Sequence, residues 1–252
     1  AGVGTDPRTA FYSGSLGQIL EGVADESFPP LNFQSVPSGS ERIYTMAEID
    51  DIPVLFASDQ LFSIAGESPE NFRLRNTRGG EKIGSRSRKG AVSTEMGIFF
   101  FSNDRKVYLI PTADHIPQLI SEVIEDELET VSGDGSVFAE IASEKARVEY
   151  INFGDMHWLL LAVPTGSSAV NDSLYIYDLD LHAAHPGMGW MGPWTLTGGD
   201  PFQFLATITT HRGLKRLLVG DNAGFIRELN VGFQDDGSNI VASYDTPFLD
   251  LG

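Results

Sequence analysis

His182 and His185 lie three apart in LHAAHPG. On a helix that spacing sets two imidazoles on one face, as in a zinc pair. Pro186 and Gly187 follow at once and argue against a helix. No further ligand completes the set, so surface histidines are the expectation. DDGSN, Asp235 to Asn239, begins like a calcium loop but lacks the downstream bidentate Glu. A β-turn with Gly237 at positive φ is expected there. The serines of SGS and GSS have no G-x-S-x-G setting, and neither a phosphate-cradling loop nor a dinucleotide fingerprint occurs. With 35 acidic residues, paired carboxylates arise by chance and single out no glycosidase pair. The reading assigns no catalytic residue, no cofactor and no metal site, and expects no enzyme.

Two segments have the chemistry of contact. GMGWMGPW, Gly187 to Trp194, sets Trp190, Met191 and Trp194 among glycines. It reads as a flat site for a sugar ring or a partner protein, or as a plug sealing one sheet against the next. NTRGGEKIGSRSRKG, Asn76 to Gly90, is the basic stretch, and Arg86, Arg88 and Lys89 close it. It reads as a loop docking an acidic surface, another copy of the chain included, or as a solvated connection between sheets.

The elements that must carry these segments are hairpins. VLFAS-DQ-LFSIA, IFFFS-ND-RKVYLI, LLLAVP-TGSSAVND-SLYIYDL and LLVG-DNAG-FIREL each join two apolar runs through a polar turn. Their turn residues Asp59, Asn103, Asn171 and Asp221 stand 44, 68 and 50 residues apart. A hairpin recurring every ~40–50 residues marks a β-propeller blade. The long interval holds DHIPQLISEVIEDELETV, whose apolar spacing predicts one inserted α-helix at about 116–130. The expected fold is all-β, a propeller of about five blades. Residues 1–40 form an irregular N-terminal arm or loose first blade, and 41–252 the propeller domain. The expected core includes Phe56, Phe100, Leu160, Tyr175, Leu218, Phe225 and Ile226.

Composition narrows function. A 252-residue chain with 41% apolar residues buries a sizeable core. The net charge of −18 disfavours sequence-specific DNA binding, because carboxylates repel phosphates. Absence of cysteine removes disulfide and thiolate chemistry. No run approaches ~18 apolar residues, so no membrane span is expected. Ala1 to Asp6 show no basic region before an apolar stretch, so no secretory leader is expected there.

Four stretches carry a resemblance: ISEVIEDEL (Ile120 to Leu128), HWLLLAVPTGSSAVNDSLYIYDL (His157 to Leu179), Trp190 to Trp194, and KRLLVGDNAGFIRELNVGFQDDGSNI (Lys215 to Ile240). Together they resemble the β-propeller virion proteins of tailed phages, of the tail-nozzle and tail-hub type. The resemblance covers about the last two-thirds of the chain. It implies a structural virion protein of the neck or tail, assembled in the host cytoplasm. Its partners would be copies of itself in a ring and other neck or tail proteins, with DNA passing without specific binding. It further implies that the closing DDG…LDLG leads into further sequence. Two rival readings stand beside it: a glycan-binding or glycan-hydrolysing propeller, and a propeller scaffold for protein partners.

Overall fold

The structure, a computed structural model, describes residues 8–11, 33–36, 42–66, 71–113, 115–129, 143–153, 156–196, 201–221, 223–229, 234–235 and 238–239. The chain is all-β and propeller-like. A short ribbon pairs β1 (Thr9–Phe11) with β2 (Phe33–Ser35). The first sheet is β3 (Ile43–Ile49), β4 (Ile52–Ala57), β5 (Gln60–Ala65) and β6 (Arg73–Glu81). The second is β7 (Ala91–Thr94), β8 (Gly97–Phe101), β9 (Val107–Ile110) and β10 (Gln118–Leu119). The third is β11 (Arg147–Phe153), β12 (Met156–Val163), β13 (Ser173–Asp178) and β14 (Trp190–Trp194). The fourth holds β15 (Phe204–Thr209), β16 (Lys215–Gly220) and β17 (Ile226–Glu228). Each is an antiparallel meander. A last pair is β18 (Gln234–Asp235) with β19 (Ser238–Asn239), and Gly237, where a positive φ is expected, lies outside the described residues.

The recurring hairpin has one fixed place. It is the pair β4–β5, β8–β9, β12–β13 and β16–β17, the second and third strands of each sheet. In the first three sheets these strands read as apolar runs because both their faces are dry. In β8, Ile98 and Phe100 join Val54, Phe56 and Leu61 of the first sheet. Phe99 and Phe101, one residue out of phase, join Leu159, Leu161 and Tyr177 of the third. In β12, Leu159, Leu161 and Val163 face back to the second sheet, while Leu160 and Ala162 meet Leu205, Leu217 and Val219 of the fourth. Leu55, Ala57 and Phe62 face the other way, under Val36 beside the β1–β2 ribbon. The sheets therefore stack in chain order, each sharing an apolar layer with the next, as blades do. Each Phe or Leu so buried contributes about 1.5–3 kcal/mol of transfer free energy.

Several expectations change. The 116–130 segment is not one helix. Gln118 and Leu119 form β10, the edge strand that completes the second sheet against Leu109 and Tyr108. A 3₁₀ turn follows (Glu122–Ile124), and the helix proper is α1 (Glu125–Glu129). Periodicity missed this because the first half of the segment is spent on strand pairing. Ser121 Oγ accepts the Val107 N–H at 3.0 Å and stops the strand. A second helix, α2 (Leu179–Ala184), forms over LHAA despite Pro186, because Asp178 Oδ1 caps it by accepting from Asp180 and Leu181 N–H groups. Asn76–Glu81 belongs to edge strand β6, so only the second half of the basic stretch is a connection. Phe225 and Ile226 are 63% and 69% exposed and do not belong to the core, and Leu218 is half-buried. Fourth-sheet residues on their side of the pleat have no next sheet against them among the described residues. No helix among the described residues is long and apolar enough to cross a membrane.

Candidate functional site

The first strands of successive sheets, β3, β7, β11 and β15, lie beside one another along the inner side of the stack. At the end where they begin is a pocket of about 430 Å³. Its charged lining is Arg42, ahead of β3; Arg86, Arg88 and Lys89, ahead of β7; and Lys145 and Arg147 at the start of β11. Gln203, ahead of β15, contributes a neutral amide, and among the described residues Glu144 is the one carboxylate in the lining. Six of the 17 Lys and Arg residues thus converge on one place in a chain of net charge −18.

The strap Lys82 to Gly90 holds three of these cations, and its small residues explain how. Gly84 threads between the hairpin turns of two sheets: Ser85 N–H donates to the Ala57 carbonyl at 2.9 Å, and Asn103 N–H donates to the Gly84 carbonyl at 2.9 Å. A Cβ on Gly84 would stand 2.2 Å from the Ala57 oxygen. Ser87 Oγ donates to the Ala146 carbonyl and accepts the Lys89 N–H. Val148 N–H donates to the Lys89 carbonyl at 2.7 Å, which places Lys89 in a parallel bridge with Arg147. Arg42 lies over the Tyr44 ring at 5.8 Å. Burial holds the Glu149 carboxyl above the ordinary carboxylate range, partly opposed by the Lys89 charge.

Arg86, Arg88 and Lys89 are therefore brought together with Arg42, Lys145 and Arg147, which the sequence reading passed over. A signal for them exists. RIY, RKGAV and KARV each put basic residues just ahead of a sheet's first strand, and aligning the hairpins in phase would have exposed it.

Trp190–Trp194 of the aromatic segment is the edge strand β14, and its residues separate. Trp190 packs on Tyr177 with ring centroids 4.7 Å apart, and its Nε1 donates to the Ile120 carbonyl at 2.8 Å. It is the sealing plug. Met191 and Trp194 are 37% and 40% exposed on the same strand. Gly192 is needed there: its φ is +129°, and a Cβ would stand 2.9 Å from the Leu174 carbonyl.

The histidines also divide. His185 is exposed, but His182 is only 7% exposed, which corrects the surface assignment. Tyr177 OH accepts the Gly187 N–H at 2.9 Å and lies 2.5 Å from His182 Nδ1, to which it donates when the imidazole is neutral. Burial lowers the His182 pKa. Between that lowered value and the unfolded value of ~6.5, the unfolded chain binds more protons, so this stability is full above pH ~6.5 and falls with pH below it. We expect His182→Gln to melt below the native protein at pH 7.5, with the gap narrowing toward pH 5. Thermal melts across that range check this. A constant gap would show that His182 does not titrate on unfolding.

A second polar cluster joins the second and third sheets. Glu95 accepts from Tyr150 OH and from Asn152 Nδ2, the latter at 2.7 Å, and His157 Nδ1 lies 2.9 Å from Asp180. The Tyr150 hydrogen bond lowers the Glu95 pKa, while burial and Glu95 push the Tyr150 phenol up to about 12. The phenol keeps its proton at neutral pH and serves as a staple.

No protein-family model matches this chain, and no curated protein matches it. Similar solved structures include the computationally designed Ika4 protein, at 14% identity and TM-score 0.40 over 79% of this chain and 96% of that one. PorZ of the type-IX secretion system of Porphyromonas gingivalis aligns at 14% identity and TM-score 0.44 over 81% of this chain, which spans 23% of PorZ. The N11 neuraminidase-like protein of A/flat-faced bat/Peru/033/2010 gives 14% and 0.37, over 73% of this chain and 50% of that one. At such scores these likenesses carry no functional residue across.

Proposed function

We propose that this chain is a non-enzymatic structural subunit of a tailed-phage particle, part of a neck or tail ring of the nozzle or hub type. The observation that carries the reading is the outer face of the fourth sheet. Leu205, Leu217 and Val219 seal its inner face, while Phe204, Ile208 and Ile226 stand exposed on the outer one, with Phe225 beside them. A row of large apolar groups of this kind marks a surface made to be covered, and a second copy of the chain is the partner we assign to it. The phage-like stretches support the reading, since HWLLLAVP…SLYIYDL is the β12–β13 hairpin and Trp190–Trp194 is the strand closing the same sheet. The acidic surplus suits a channel wall past which DNA slides, because phosphate finds little to hold.

Light scattering on the purified protein tests this. A single oligomer of defined mass at micromolar concentration is expected, and the Phe225→Ser/Ile226→Ser double variant is expected to be monomeric while keeping the native β-sheet circular-dichroism spectrum. A native protein that stays monomeric up to ~1 mM, whether alone or beside neighbouring virion proteins, would end the reading.

A further inference from the structure

We propose that the axial pocket is a binding site for a compact oxyanion ligand, a small molecule carrying two or more phosphate or carboxylate groups. The first argument is charge. Six cations in one pocket repel one another, and each would be better placed beside a carboxylate. Among the described residues Glu144 is the one carboxylate that lines the pocket. Among the described residues Arg42, Arg88, Lys89 and Arg147 form no ion pair, whereas Lys106, Arg216 and Arg227 outside the pocket each meet a carboxylate. The charge of these four is not met by any carboxylate among the described residues.

The second argument is donor geometry. Four of the six are arginines, whose planar forks match the paired oxygens of phosphate and carboxylate. Arg147 Nε is shielded from solvent and has no hydrogen-bond partner among the described residues. A buried donor of this kind is costly to leave unmet, and a bound oxyanion supplies its acceptor. The third argument is preorganisation. The bonds Ser87 Oγ to Ala146, Lys89 N–H to Ser87 and Val148 N–H to Lys89 fix the strap to β11 before any ligand arrives, so little ordering remains to oppose binding. The fourth is size. A volume of about 430 Å³ takes a small molecule and excludes a nucleic acid duplex.

Calorimetry at low ionic strength tests the site, with pyrophosphate and citrate as small probes and a synthetic peptide of residues 121–130, SEVIEDELET, as an acidic protein segment. We expect one molecule of pyrophosphate or citrate per chain, with binding weakened about tenfold or more in Arg88→Ser/Arg147→Ser. Arg212→Ser, an exposed change outside the lining, should bind as the native protein does. Arg88→Lys/Arg147→Lys, which keeps charge and loses the fork, should fall between, and it serves as the folded reference should the serine variant fail to fold. Equal weakening by Arg212→Ser would reduce the effect to general charge and overturn the site. Binding of the peptide with no binding of either small anion would overturn it too, and would turn the pocket into a contact between copies. Because all measurements are on the isolated protein, they stand whether or not the chain forms a ring.

Discussion

Phe100→Ala is expected to cost about 3–5 kcal/mol, and Ile226→Ala under about 1 kcal/mol, although both residues sit in similar apolar hairpins. Phe100 is fully buried, with the Phe56 ring at 5.1 Å and the Tyr108 ring at 5.5 Å. It fills the layer between the first and second sheets, where removal leaves a cavity that rigid strands on both sides cannot close. Ile226 is on the open face of the fourth sheet and already meets water. Urea unfolding monitored by far-ultraviolet circular dichroism checks the pair. At concentrations where the chain is monomeric, comparable losses would mean that the fourth sheet is covered in the free chain.

Gly84→Ala is expected to cost about 3 kcal/mol or more and to loosen the oxyanion pocket as well. The added methyl would meet the Ala57 oxygen at 2.2 Å, the Ser58 carbonyl carbon at 2.5 Å and the Asp59 nitrogen at 2.6 Å. All three are backbone atoms of a hairpin turn, so no rotamer change relieves the overlap. The strap has to move, and Arg86, Arg88 and Lys89 move with it. Gly213→Ala is the contrast: nothing lies within 4 Å of its Cβ position, and only its φ of +77° resists. About 1–2 kcal/mol is expected there. Equal effects would show that the strap is not wedged between the turns.

The sheets were legible because their signal is local. VLFA, IFFF and LLLAV are uninterrupted apolar runs, which strands dry on both faces require, and the turn residues between them are polar and small. Ile226 was misread because FIREL carries the same pattern as its counterparts, and exposure there depends on what lies beyond the fourth sheet. The second half of the 116–130 segment kept its helix, as Ile124 and Leu128 are buried one turn apart. Its first half became a strand because an edge beside β9 was open, which periodicity does not encode. The basic pocket was half visible. Arg86, Arg88 and Lys89 stood out as a run, whereas Arg42, Lys145 and Arg147 are scattered in sequence and meet only once four strands start at one end of the axis.

The layered sharing of side chains between consecutive sheets also governs how the molecule is made. Every sheet is a contiguous stretch of chain, and every hairpin closes a short loop, so most of the search is local and fast for a β protein. The slower step is the docking of one finished meander on the next, and its reward is collected pairwise along the polypeptide. A nascent chain leaving the ribosome can therefore add its sheets in order, each new one covering the apolar face left by the one before. Among the described residues the fourth sheet keeps such a face exposed, and an apolar face of this kind is where a chaperone would be needed during synthesis.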